Sequence, residues 1–89
     1  MERTTFEAGL QRDGYLETAE RTLAPGEATP EHTHPFDARL LILAGALTYG
    51  EAGASRAYRA GESFEVARGT PHTEAAGAEG AAYLAGRRR

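Results

Sequence analysis

The chain is 89 residues long, room for one domain over residues 1–89, and its lack of cysteine excludes disulfides, thiolate metal sites and cysteine nucleophiles. A formal net charge of −3 argues against a general nucleic-acid binder. No apolar run approaches the roughly 20 residues of a membrane-crossing helix, and MERTTFEAGLQ has no secretory core, so the expected setting is cytoplasmic with no membrane partner.

Thr4 to Arg12 places Phe6, Ala8 and Leu10 at alternate positions, the pattern of a half-buried strand. Asp13-Gly14 is a strong turn pair and Tyr15 to Leu23 a second strand, so the two segments predict an N-terminal hairpin. Ala24-Pro25-Gly26 is the next turn, and Pro30 makes the following segment short, bent or an edge. Pro35 begins a corner. Arg39 to Leu43, the most apolar run, reads as a buried strand ending at Gly45, and Leu47 and Tyr49 continue it to a turn at Gly50-Glu51-Ala52-Gly53. Ser55 to Arg59 is a short return strand stopped by Ala60-Gly61. Phe64 and Val66 flank charged Glu65 in one more strand before the turn Arg68-Gly69-Thr70-Pro71. Residues 72–76 and 81–85 are expected to form a last strand pair around Gly77 to Gly80, followed by a solvated tail of Arg87, Arg88 and Arg89. Short strands with turn signals every 8–12 residues or so predict an all-β sandwich or barrel.

Three histidines carry the chemistry. His32 and His34 flank Thr33, and residues two apart on a strand share a face. Neutral imidazole is a ligand for zinc, copper, iron and nickel, so the pair can share one ion. His72, in RGTPHTE, completes the chain's histidine complement, and a fold that returns it to the pair brings all three to one point.

These residues and their spacing resemble the cupin superfamily, small jelly-roll barrels marked by two motifs. In the first, a glycine and five residues precede HxH, a glutamate and a later glycine; here stand Gly26, EATPE, His32-Thr33-His34 and Gly45. In the second, a glycine and five residues precede PxG, two residues, a histidine and an asparagine; here stand Gly61, ESFEV, Ala67-Arg68-Gly69, Thr70-Pro71 and His72. Three positions depart from the pattern: Ala67 replaces the proline, Ala76 the asparagine, and Ala38 the glutamate that binds metal in many cupins. The resemblance implies an antiparallel jelly-roll β-barrel with three of the usual four ligands, His32, His34 and His72, around a divalent ion (Fe, Zn, Mn, Ni or Cu). It also supports a homodimer, as does the marginal stability of so short a chain.

Two carboxylates are candidates for the missing ligand. Asp37 adjoins Ala38, but strand alternation turns it away from the face of Ala38, Leu40 and Ile42 unless the Pro35 corner or a bulge shifts the register. Glu74 follows His72 by two and shares its face. It is the candidate catalytic residue, able to bind metal, orient a histidine or act as a base; the alternative is an ordinary exposed glutamate at a strand end. Phe36, Leu40, Ile42, Phe64 and Tyr83 are candidates for a pocket wall or for plain core. Leu41 and Leu43 then face outward, where apolar surface left in water costs about 25 cal/mol per Å², and are expected to pack on a second sheet or a second subunit.

The expected function is a metal site that binds a small molecule. It is either a dioxygenase, isomerase or lyase acting on a small polar metabolite, or a non-catalytic metal- or ligand-binding or sensing module. A degenerate cupin that has lost its metal is the remaining reading.

Overall fold

The computed structural model describes residues 1–89. One helix, α1 (Arg3–Arg12), precedes six strands: β1 (Glu17–Leu23), β2 (Ala28–His32), β3 (Asp37–Glu51), β4 (Ala54–Arg59), β5 (Ser63–Val66) and β6 (His72–Arg88). Strands β3 and β6 run antiparallel along almost their whole lengths, β1 lies outside β6 and β4 outside β3, and β2 and β5 pair with β6 and β3 respectively. The result is an all-β barrel with one short helix. None of its helices is long and apolar enough to cross a membrane.

The barrel owes its closure to one corner. Along β3 the side chains buried in the barrel core are Ala38, Leu40 and Ile42, then Leu47 and Tyr49, so the inward face changes parity midway. The barrel-facing residues of β6 do the same, from His72 and Ala76 to Ala81, Tyr83 and Ala85, while Leu84 is buried on the other face. Register accounts for both changes: Leu47 pairs with Ala76 but Gly45 with Ala81, leaving extra residues of β6 to bulge outward. Gly45 (φ 71°) and Gly80 (φ 80°) meet at this bend, and a Cβ on Gly45 would run into the Gly80 carbonyl. Both halves of the bent sheet thereby bury their side chains in one core that includes Leu23, Leu40, Ile42, Leu47, Val66 and Tyr83.

The expected closing pair around Gly77 to Gly80 is therefore not a hairpin. Those glycines form the bulge inside one continuous strand, because turn-forming residues serve equally where a long strand must bend. The N-terminal hairpin is also corrected: Thr4 to Arg12 lies in helix α1. Phe6 and Leu10 fit a strand's alternation and a helix's i,i+4 face alike, and exposed Ala8 between them reveals the helix. Asp13-Gly14 does reverse the chain, with Gly14 at φ 82°, but it joins a helix to β1.

Helix α1 explains the outward leucines. Leu41 is 1% exposed and packs with Phe6, Leu10, Tyr15 and Leu84 in a second apolar cluster, against which Leu43 also lies. The cover for this face is the chain's own helix rather than a second sheet or subunit, so these leucines supply no reason for a dimer. The arginine tail is likewise integrated: Arg87 and Arg88 belong to β6, Arg88 donates to Asp37, and Arg89 pairs with Glu17 at 2.9 Å.

Candidate metal centre and its pocket

His32 ends β2 opposite His72, which opens β6, while His34 lies just beyond β2 on the way to β3. Strand alternation therefore covers only part of the His32–His34 pair. Pro30 explains the interruption, since the β2–β6 register shifts between Thr29 and His32. The ring centroids lie 4.7 Å apart for His32 and His34, 4.2 Å for His32 and His72, and 5.3 Å for His34 and His72. One ligand atom from each of the three lies within 4.8 Å of the others. The fold thus brings together the three histidines that the sequence singles out.

Hydrogen bonding leaves two of them able to act as ligands. His32 Nδ1 lies 2.8 Å from the Pro30 carbonyl and His72 Nδ1 2.8 Å from the Thr70 carbonyl. A carbonyl only accepts, so each Nδ1 carries the proton and each Nε2 keeps a free lone pair. The same i−2 contact on both rings is the kind of support that fixes a metal ligand's tautomer and orientation. At His34, burial first and then the charges of His32, His72 and Arg87 lower the imidazole below its ordinary value, favouring the neutral form that ligates. The donor set fits a divalent transition ion. Bonds of about 2.0–2.1 Å near the tetrahedral angle hold two ligand nitrogens about 3.4 Å apart, so the side chains, now within 4.8 Å of one another, would draw in by up to about 1.4 Å to close on one ion.

The two candidate carboxylates part company. Glu74 Oε1 lies 3.9 Å from His32 Nε2, the nitrogen left free to ligate, and its side chain is only 11% exposed. Asp37 faces away: its Oδ1 accepts from the Arg68 backbone N–H at 3.0 Å and its Oδ2 from Arg88 at 3.1 Å. Those two donors also lower its carboxyl below the usual range. Asp37 holds the barrel rim, and Glu74 is the carboxylate at the centre.

Around the histidines lies a cavity of about 140 Å³, walled by Phe36, Ala38, Leu40 and Tyr83 among others and entered by Glu74, Thr29, Arg21 and Arg87. Of the expected wall residues, Ile42 stays in the core and Phe64 packs on Tyr49 and Tyr58 instead, at 5.0 and 4.3 Å between ring centroids. Burial, then the Glu74 charge, raises the Tyr83 hydroxyl, so it remains a neutral donor in the pocket. Arg21 and Arg87 are the residues that sequence reasoning missed. Alternation from Tyr83 through Ala85 points Arg87 inward, and Arg21 is the cross-strand partner of Tyr83.

Residues 19–85 match the Cupin domain family, and the chain belongs to it. No curated protein matches it in sequence. Solved structures do: a cupin-like protein from Thermotoga maritima (TM-score 0.73, 22% identity, 80% of this chain and 55% of that one) and a Cupin 2 conserved barrel domain protein from Salinispora arenicola (0.73, 22%, 81% and 61%). The DMSP lyase DddQ from Ruegeria pomeroyi is similar at TM-score 0.75 and 23% identity over 81% of this chain and 37% of its own. The chain thus spans little more than half the length of the first two of these relatives.

Proposed function

We propose that this cupin binds a divalent transition ion through His32, His34 and His72 and uses it to bind and transform a small polar metabolite, as an isomerase or lyase. The observation that carries the reading is the converging histidine set, with two Nδ1 protons fixed on backbone carbonyls and two Nε2 atoms left free. An ion there supplies Lewis acidity toward a ligand oxygen and, if redox-active, an electron.

The protein's own groups do the rest. Phe36 and Leu40 give the cavity an apolar wall, and the Tyr83 hydroxyl offers a hydrogen bond. Glu74, beside the His32 nitrogen, is placed to take a proton from a ligand carbon or hydroxyl, a step that isomerases and lyases need. That placement favours proton chemistry over the dioxygenase reading.

A second reading rests on the same 3.9 Å separation. Glu74 is near enough to complete a four-ligand site closed to substrate, which would make the chain a metal-binding or sensing module. Elemental analysis of the untagged protein, of His34→Ala and of Glu74→Gln separates the cases. Near-stoichiometric metal in the parent and little in His34→Ala is expected; no metal in the parent after reconstitution with Fe, Zn, Mn, Ni and Cu would sink the proposal. Glu74→Gln that keeps its metal marks a base, whereas loss of metal marks a fourth ligand.

Homodimerisation is part of the proposal. Its support is the unpaired outer edge of β1 and of β4, each of which pairs on one side only. Light scattering behind size exclusion checks it, and a monomer at micromolar concentration counts against it.

A further inference from the structure

The charge pattern of the pocket is uneven. Arg21 and Arg87 both reach it, against one carboxylate, Glu74. Every other arginine of the chain except Arg59 is ion-paired with an aspartate or glutamate. Arg21 and Arg87 have no such partner, although a chain with an excess of acidic residues has carboxylates to offer. Two unpaired guanidiniums beside a partly buried cavity leave it positive, and a divalent ion would add to that charge.

The position of Arg87 is specific. It pairs across the strands with Ala38, the position at which many cupins carry a glutamate. Ala38 and Ala85 are small and leave room in front of the guanidinium, whose carbon sits 4.9 Å over the Phe36 ring. His34 stacks on the same ring at 4.7 Å, which places Arg87 near the histidine cluster. Arg21 stands opposite Tyr83, about 13 Å further along β6 at roughly 3.3 Å per residue, so it acts mainly through its field.

We infer that this pocket selects a small carboxylate, which Arg87 binds in the space before Ala38 while another oxygen of the ligand faces the histidines. A guanidinium and a carboxylate pair through two parallel hydrogen bonds, stronger than neutral ones and geometrically selective. The ligand thereby brings the negative charge that Ala38 does not. A cavity of about 140 Å³ limits it to a few heavy atoms, well under the roughly 300 Å³ of the smallest drug-sized sites. The inference shares the metal-site reading of the same pocket, but the carboxylate contact is made by Arg87 and is measurable without turnover.

The test is calorimetric titration with acetate, lactate, malonate and succinate, and with acetamide, lactamide, malonamide and succinamide as neutral counterparts. Parent, Arg87→Gln, Arg87→Lys, Arg21→Gln and Arg59→Gln are compared, each with its metal content and thermal melt measured. At least one acid should bind about 10- to 100-fold more tightly than its amide, and Arg87→Gln should lose that preference with metal content unchanged. Arg87→Lys should recover part of it, Arg21→Gln should weaken binding less, and Arg59→Gln should match the parent. Amides that bind like acids, an Arg87→Gln indistinguishable from Arg59→Gln, or no binding across the set would overturn the inference. Arg87-dependent carboxylate binding by a protein that holds no metal would uphold it while removing the metal proposal; a metal-loaded protein without such binding would do the reverse.

Discussion

Gly26 and Gly45 offer a controlled test of how the barrel bends. Their backbones are nearly identical in φ, 72° and 71°, but their surroundings differ. A Cβ built on Gly26 meets nothing within 4 Å, whereas one on Gly45 collides with the Gly80 carbonyl and backbone. An L-residue in this left-handed region costs about 1–2 kcal/mol, and that cost falls on both sites. The entropy that alanine removes from the unfolded chain, about 0.4–1 kcal/mol, is also common to both. Crowding at Gly45 adds about 1–3 kcal/mol, because the obstacle is backbone held by the strand pairing and cannot swing aside. Gly45→Ala should therefore be less stable than Gly26→Ala by about 1–3 kcal/mol, in a domain whose size implies only about 4–13 kcal/mol in total. Urea unfolding followed by circular dichroism reads the gap as a midpoint shift of about 0.3–3 M at slopes of about 1–3 kcal/mol/M. Equal midpoints for the two variants would refute the idea that β3 and β6 meet through glycine at this corner.

Four further outcomes follow from the geometry. Leu10, 1% exposed in the cluster under α1, should cost about 2–5 kcal/mol on Leu10→Ala; a melting curve showing less than about 1 kcal/mol would mean that the helix is not docked there. The Arg68 N–H and then Arg88 lower Asp37 below the ordinary carboxyl value, so its stabilising effect is present above that value and fades as pH falls through the folded one. The parent should thus exceed Asp37→Asn in urea midpoint by a constant margin above about pH 5, and the margin should close below about pH 4; a margin unchanged at pH 2 contradicts the pairing. A bound ion should raise the melting temperature, with about 2.7 kcal/mol gained at a hundredfold excess over Kd, and His34→Ala should show no such rise; identical shifts in both proteins would place the ion elsewhere. Ala38→Glu should pair with Arg87, strengthening metal retention and abolishing carboxylate binding, and persistent carboxylate binding would put the ligand away from Arg87.

Much of the fold was legible because its signals are local. Turn residues at Asp13-Gly14, Gly26, Gly53 and Gly69 do mark chain reversals, and the glycines of the two motifs at Gly26, Gly45 and Gly61 all take positive φ. The misreadings occur where a local pattern is degenerate. Phe6 and Leu10 satisfy both periods, and only the apolar face of β3, known once Leu41 is placed, shows what needs covering and by what. Gly77 to Gly80 has a turn's composition, but a bend in a long strand and a hairpin tip need the same backbone freedom, and the partner strand decides between them.

The site divides along the same line. Histidine spacing is a local signal, so His32, His34 and His72 could be read directly, and Glu74 followed from its parity with His72. Arg87 could not, because it lies thirteen positions beyond Glu74 on the same strand and its direction depends on the parity change at Gly80 between them. With no bulge, residues of even number would face inward from His72 to the end of β6, and Arg88 rather than Arg87 would enter the pocket. The bulge reverses this, sending Arg88 out to Asp37 and Arg87 in beside Ala38. One irregularity in β6 therefore fixes both the rim ion pair and the pocket's charge, and a change that shortened the Gly77–Gly80 bulge by one residue would exchange the two arginines.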